Sequence, residues 1–546
     1  MVSASRRPEK ILDAPASVAV VEAQEVQSQP VLSLAEHVRD LPGVDVSRTG
    51  LVQNNMVVRG FNNIFSGALL TLSDNRIAWV PSLRVNVYNF IPVTSDDIDR
   101  IEVVLGPGSA LYGPNSANGV MHVITKSPLT SGGTSAQVGF GERSLRKVSV
   151  RHAGQASAEL GYKISAEYYA GEDWESQDAS DLNPRDFDVE RRSAEVRVDY
   201  RPSDELQAIF SAGTNVGDHI ELSGLGAGQI RGFGTNYAQA RFNYKDWFGQ
   251  VYRNWSSAGD TYLLATGIGI VDRSSLTVLQ LQHDARLGAR KRFTYGVDAL
   301  FTRPDTEGTI YGENEDNDSI DEYGAYLQSE TALIPELDLV LALRYDQHSR
   351  LDGEEISPRA GLVFKPEETQ TFRLTYNRAF STPTAINLYL DLTSRADPFQ
   401  FGPRFSPVFA ARDLGEFHPI DVRVQGTYTP TSDKGFSFRR GEAGRPQFRS
   451  PFVAMAGLPA TTYIDMDSPI FTNVMWGIGR QAVIAGFAAE TEAALTGQMV
   501  VAGMSEEDAF AQAQAAALAG ALGIVPEQLA GLTNSLMRLN TSGAFD

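Results

Sequence analysis

From Pro128 to Phe380 the chain keeps a hydrophobic period of two, and that period commits it to pleated strand, because successive side chains on an extended backbone point to opposite faces. In Leu160 to Ala170 one face carries Leu160, Tyr162, Ile164, Ala166, Tyr168 and Ala170, and the other carries Gly161, Lys163, Ser165, Glu167 and Tyr169. Ala194, Val196, Val198 and Tyr200 alternate in the same way with Glu195, Arg197 and Asp199. So do Leu339, Leu341, Leu343 and Tyr345 with Asp338, Arg344 and Asp346.

Counting by alternation gives about thirteen strands, the first near 134–142 and the last near 369–380. Every second connection is tight, with Pro202-Ser203, Lys245-Asp246, Pro335-Glu336 and Pro366-Glu367 at four of them. The connections after the third, fifth, seventh and ninth strands read as long. A soluble sandwich shares the alternation. Short turns at one end and long loops at the other are the mark of an outer-membrane barrel, with the long loops outside. No apolar run approaches the roughly 18 residues of a membrane helix. With 47 basic against 67 acidic residues, a net charge of -20, the chain is a poor partner for nucleic acid. It has no Cys, so it has no disulfide, thiolate metal site or thiol nucleophile. The seven His are scattered, and no metal or enzymatic constellation emerges.

Ahead of the strands, Ile98 to Lys126 reads IDRIEVVLGPGSALYGPNSANGVMHVITK, with Gly106, Pro107, Gly108, Gly113, Pro114 and Gly119 between two β-rich runs. The pattern is strand, turn, helical turn, strand, a compact knot. A phosphate-binding Walker loop would need Gly-Lys-Ser/Thr, and no Lys follows these glycines until Lys126. The order of Arg100, Glu102, Gly106, Pro107, Tyr112, Gly113 and Gly119 resembles the plug signature of TonB-dependent outer-membrane receptors. So do Pro42-Gly43-Val44, the element Arg59-Gly60-Phe61, and a hairpin turning at Ser73-Asp74-Asn75. Ile356 to Pro366 with Leu374 to Phe380 resembles a barrel element of the same receptors. Leu105 departs from the pattern, since the family usually has a basic residue there that makes a plug-to-barrel charge contact.

The resemblance implies a mainly β architecture: an α+β plug over residues 1–128 with an N-terminal tether, then an antiparallel transmembrane β-barrel over 129–380. About thirteen strands cannot close a family barrel of about 22. Ser33 with Glu36 reads as the capping box of a short helix to Leu41. Residues 381–546 read as a long extracellular loop or insert with an Ala-rich helical segment, in which Ser505 and Asp508 cap one helix. A separate helical domain is the rival reading. Gly224 to Gly228 reads as a flexible loop, and the acidic run from Asp305 to Asp321 as a solvated one.

The resemblance further implies active transport of a scarce small-molecule ligand, typically a ferric siderophore or cobalamin, across the bacterial outer membrane, within its lipid. The partner would be TonB, and through it ExbB and ExbD, with no enzymatic step and no cofactor. Val2 to Arg6 resembles the segment beside a TonB box, and no signal peptide precedes it, so the natural start is expected upstream. Carried over from the family, the ligand-facing plug apex is Arg48 and Thr49, then Asn62, Asn63 and Phe65, then Tyr88. Other readings are uptake of carbohydrate or peptide with a surface lipoprotein, and a non-transporting adhesin or signalling receptor.

Overall fold

The computed structural model describes residues 10, 14–60, 69–178, 181–223, 226–367 and 369–396, and beyond them 406, 422–426, 436–440, 446–449, 459, 462–465, 484, 488, 492 and 495–524. The chain divides into two compact units, one of residues 1–223, 227–310 and 315–386, the other of 224–226, 311–314 and 387–546.

The first unit opens with the plug. Its strands are β1 (Ser17–Glu22), β2 (Val44–Arg48), β3 (Asn54–Val58), β4 (Leu69–Ser73), β5 (Arg76–Ile77), β6 (Ile98–Leu105) and β7 (Gly119–Thr125). Five of them form one sheet in the order β1-β6-β7-β4-β5, and β2 pairs with β3 apart from it. Strand alternation gives this sheet two apolar faces. Leu69, Ile101, Val103, Met121 and Val123 pack on Val38, Met56 and Tyr88. Leu70, Leu72, Val104 and Val120 pack with Trp79 on Tyr252, Leu276, Val278 and Leu300, which belong to the large sheet that follows. Each fully buried aliphatic side chain contributes about 1.5–3 kcal/mol.

The knot between β6 and β7 forms as its glycines demand. The helical turn Ser109–Tyr112 ends at Gly113, whose φ is 84°. Gly106 N–H donates to Asn118 O at 3.0 Å and Gly108 N–H to Ser116 O at 2.9 Å. A Cβ on Gly119 would stand 2.3 Å from the Val104 carbonyl oxygen.

The large sheet follows as β8 (Gly133–Phe140), β9 (Arg146–Gln155), β10 (Leu160–Glu172), β11 (Asp188–Tyr200), β12 (Leu206–Ser223), β13 (Gly226–Tyr244) and β14 (Trp247–Ser257). It continues as β15 (Tyr262–Leu263), β16 (Ser275–Leu287), β17 (Lys291–Arg303), β18 (Ile320–Ile334), β19 (Leu337–His348), β20 (Glu354–Glu367) and β21 (Gln370–Asn377). Thirteen of these pair in sequence order from β8 to β21, and β15 pairs β13 at the side. Successive strands pair antiparallel from β8 to β12 and from β13 to β21. Among the described residues, β8 and β21 are the two ends of this path and the barrel is not closed. Outward positions are apolar and exposed, as at Ile164, Val196, Phe210, Leu281, Val297 and Leu343, while inward Lys163, Glu195, Arg197, Asn215 and Gln239 are buried. Apolar outside and polar inside is the pattern of a membrane-spanning barrel. Aromatic rings band the short-turn rim, where Trp247 lies 4.3 Å from His283 and His283 lies 5.3 Å from Tyr295. Among the described residues no helix is long and apolar enough to cross a membrane.

Two local expectations are corrected. The long loop expected after the fifth strand is instead strand, because β12 runs on to Ser223 and β13 starts at Gly226. The glycines there, Gly217, Gly226 and Gly228, hide the alternation by leaving positions without side chains. The capped helix at Ser33 is a short 3-10 turn, Leu34–Val38, and Ser33 makes no capping bond. Leu105 packs partly buried on the plug core in place of a charge, and the Arg59 guanidinium stands 3.3 Å from where a Gly106 Cβ would be.

In the second unit five short strands, β22 (Asp391–Arg395), β23 (Val422–Gln425), β24 (Phe436–Arg440), β25 (Pro446–Arg449) and β26 (Ile464–Asp465), pair in that order. A helix spans Glu506–Ile524, and Asp508 N–H donates to Ser505 Oγ at 3.2 Å, the expected cap.

Candidate ligand-binding site

The plug lies against the inward face of the sheet and is tied to it at two levels. Near the short turns, Asp97 accepts from Arg151 Nε at 2.6 Å and from Lys163 Nζ. Lys163 Nζ also donates to Thr125 Oγ1 at 2.7 Å. The β4–β5 turn places Asp74 beside Arg197 at 3.6 Å and Arg241 at 3.9 Å, and its carboxylate accepts from Thr125 Oγ1. Burial alone would raise the Asp74 carboxyl, but Arg197, Arg241 and Lys163 overcome it and hold it well below the usual carboxylate range. Two plug histidines are pushed down to about 4 by burial: His37, with Lys147 adding to the effect, and His122, whose Nε2 accepts from Asn75 N–H at 3.0 Å.

Near the long loops the plug turns meet the sheet's upper edge. The loop from β2 to β3 is pinned by Leu51 N–H donating to Asp173 Oδ1 at 2.9 Å. Gln53 Nε2 donates to Glu221 Oε1 at 2.6 Å and to Leu222 O at 2.7 Å, and Leu222 N–H donates back to Gln53 Oε1 at 2.9 Å. Asn89 reaches the same strand, with Nδ2 3.0 Å from His219 Nε2 and its carbonyl accepting from Asn215 Nδ2 at 2.8 Å. Ser82 Oγ donates to Asp272 at 2.6 Å and Arg84 to Glu322.

Arg48 stands in this upper layer with its side chain 43% exposed, 3.5 Å from Glu36 and donating to Gly50 O at 3.1 Å. Its guanidinium lies 5.1 Å from the ring of Trp174, and Arg143 lies 5.3 Å from the same ring. Trp174 is 49% exposed, so a flat aromatic surface flanked by two cations faces outward beside exposed Thr49. Tyr88 is corrected: it is 3% exposed inside the plug core, where burial pushes its hydroxyl well up, and it offers no ring to a ligand. Phe61, Asn62, Asn63 and Phe65 lie outside the described residues, as do Val2 to Arg6.

Of the signature residues, Arg100 pairs within the plug with Asp99 at 2.7 Å and Glu102 at 2.8 Å. Tyr112 packs on the plug-sheet face that meets the large sheet, Pro107 and Gly60 are exposed, and Gly113 abuts the Arg344 guanidinium. Sequence reasoning missed Trp174, Arg143, Gln53 and His219, since each acts across the plug boundary. A Trp two residues past the end of a strand, opening a long loop, was the one available signal for Trp174. The acidic loop is partly ordered, with Glu315 accepting from Thr306 and Gly308. Burial and Glu315 push Asp318 up to about 7. Among the described residues, no group of three or more His, Asp or Glu could hold a metal ion.

Residues 10–120 match the family model described as the TonB-dependent Receptor Plug Domain, and residues 137–416 match the model described as TonB dependent receptor-like, beta-barrel. The chain belongs to the TonB-dependent receptor family. It is similar to the vitamin B12 transporter BtuB of Vibrio vulnificus, 27% identical over 424 residues, which are 73% of this chain and 64% of the relative. It therefore spans under two thirds of that relative's length. It is also similar to the ferrichrome outer membrane transporter/phage receptor of Escherichia coli, 30% identical over 133 residues, 24% of this chain and 17% of the relative. Its fold is similar to that of the ferric enterobactin receptor of Pseudomonas aeruginosa, with TM-score 0.55, 16% identity and coverage of 80% of this chain and 72% of that one. The siderophore receptor PirA of Acinetobacter baumannii gives TM-score 0.54 at 16% identity, covering 79% and 66%. Within this TonB-dependent receptor the two tiers differ in kind, buried ion pairs below and a half-open aromatic surface above.

Proposed function

We propose that the protein binds a scarce ferric siderophore or a cobalamin-type compound outside the cell and passes it through the bacterial outer membrane, driven by TonB with ExbB and ExbD. The carrying observation is the Arg48, Trp174 and Arg143 cluster, which joins the plug apex to two loops of the barrel on its long-loop side. Two guanidinium groups beside one exposed aromatic ring suit a large ligand with flat rings or peripheral negative charge. Arg48 and Thr49, with Asn62, Asn63 and Phe65, are proposed as the plug's ligand contacts. Below them, the ion pairs of Asp97 and Asp74 hold the plug without a covalent link, which suits a plug that is displaced by pulling. The plug over 1–128, the barrel over 129–380 and an outer insert over 381–546 form the proposed domain plan.

The test is equilibrium binding of cyanocobalamin and of ferric enterobactin, each read by quenching of tryptophan fluorescence. Arg48→Ala is expected to weaken whichever probe binds by about 1–3 kcal/mol, the loss of a charged contact at an aromatic anchor. Unchanged affinity in Arg48→Ala together with Trp174→Phe would remove the apex from the ligand site.

A further inference from the structure

One residue past the end of β10, Asp173 still bonds the barrel wall: its N–H donates to Phe187 O at 2.7 Å, just ahead of β11. Trp174 follows in no strand or helix, so no regular element fixes its ring. Asp173 instead reaches every part of the aromatic cluster. Its buried carboxylate accepts at Oδ1 both from Trp174 N–H at 2.7 Å and from the plug's Leu51 N–H at 2.9 Å. Its backbone carbonyl accepts from Arg143 Nη2, while Arg143 Nε donates to Glu172 O at 2.7 Å. On the plug side, Arg48 donates from Nε to Gly50 O at 3.1 Å and from Nη2 to Leu51 O at 3.4 Å. The peptide unit between Gly50 and Leu51 is therefore held at its carbonyl by Arg48 and at its N–H by Asp173.

A carboxylate oxygen that accepts from two backbone N–H groups makes charge-assisted bonds, stronger than those between neutral groups. The fit around it is close. A Cβ on Gly50 would stand 2.7 Å from Asp173 Oδ2, so the absence of a side chain there leaves the room that the carboxylate fills. Arg48, Arg143 and Trp174 come from three separate stretches of chain, and each is bound to Asp173 directly or through one peptide unit. We propose that Asp173 is the positioning residue of the ligand site, setting the Arg48, Trp174 and Arg143 arrangement by tying the plug's β2–β3 loop to the Trp174 backbone through one oxygen. Buried as it is, it acts through these neighbours rather than on the ligand. A disturbance on either side, plug or barrel, therefore reaches the aromatic surface. The consequence for binding rests on the ligand site proposed above, whereas the tie itself belongs to the ligand-free receptor.

The test uses the full chain in detergent, and its first arm needs no ligand. Trp174 emission is taken as the difference between each protein and its Trp174→Phe counterpart. Asp173→Ala is expected to shift that emission to the red and to raise its quenching by iodide. Gly50→Ala, which crowds the carboxylate from the plug side, should do the same, while Asp173→Asn keeps an Oδ1 acceptor and should match the wild type. The second arm is binding of radiolabelled cyanocobalamin and ferric enterobactin. Whichever probe binds the wild type should bind Asp173→Ala about tenfold more weakly, the loss of charge-assisted bonds, and Asp173→Asn within about twofold. Added to Arg48→Ala or Trp174→Phe, Asp173→Ala should weaken binding little further, because it acts through them. A merely structural role would instead add its full cost in those backgrounds. Unchanged Trp174 emission in Asp173→Ala, a failure of Asp173→Asn to match the wild type, or full additivity in the double variants would each overturn the proposal. Binding of neither probe, with the emission changes as expected, would overturn the proposed ligand class and leave the placing of the ring by Asp173 supported.

Discussion

Gly113 shows how one residue can serve two neighbours. Its φ of 84° suits glycine, and a Cβ there would stand 2.9 Å from a guanidinium nitrogen of Arg344. Gly113→Val should destabilise the seated plug by about 1 kcal/mol or more without changing which ligand binds, measured as earlier thermal unfolding and faster proteolysis of the plug. The requirement for glycine was readable in the sequence; the identity of the neighbour was not, because Arg344 lies far along the chain. The buried histidines make a second residue-scale prediction. His37 and His122 are held down to about 4 in the folded plug, below the ordinary histidine value, so the unfolded chain takes up protons first on acidification. Plug stability should therefore fall as pH drops from about 6.5 towards 4 and level off below it, and in His122→Gln the slope of melting temperature against pH should flatten. An unchanged slope in that variant would contradict the neutral, buried assignment.

At the scale of elements, strand positions were legible because alternation is a backbone property that each strand declares for itself. The β12 extension was not, since its lumen-facing Asn215, His219 and Glu221 are fixed by partners on the plug rather than by an apolar face. The plug's apex was half legible. Arg48 is exposed, as a ligand-facing residue must be, whereas Tyr88 is buried in the plug core, and the exposed ring beside Arg48 is that of Trp174 from the barrel. The lower tier of ion pairs escaped sequence reasoning altogether, as it joins the turn before β6 and the β4–β5 turn to β9, β10, β11 and β13. Asp97 is its centre, 1% exposed and shared by Arg151 and Lys163. Asp97→Ala leaves two buried cations short of a carboxylate and should cost about 3–5 kcal/mol of plug seating, read in denaturant titrations. Asp99→Ala removes an exposed pair with Arg100 and should cost under about 1 kcal/mol. Equal losses from the two would show that the lower tier does not hold the plug.

For the whole molecule, the proposed function assigns the two tiers different tasks, ligand above and pull below. The upper tier is half-open and aromatic, where the proposed function puts the ligand's contacts; the lower is buried and ionic, where it would have the plug retained against a pull. Composition could not predict this division, since the same Asp, Arg and Lys count would serve any acidic surface. The division becomes visible only when the inward face of the sheet is set against the plug. Hydrogen–deuterium exchange of the receptor, with and without whichever of cyanocobalamin or ferric enterobactin binds, tests it in one measurement. Protection is expected at the β2–β3 loop around Arg48 to Gln53 and at Asp173 and Trp174, with no change around Asp96, Asp97 and Lys126. Protection confined to the Asp97 tier, or absent from the Arg48 and Trp174 segments while ligand is bound, would contradict the account.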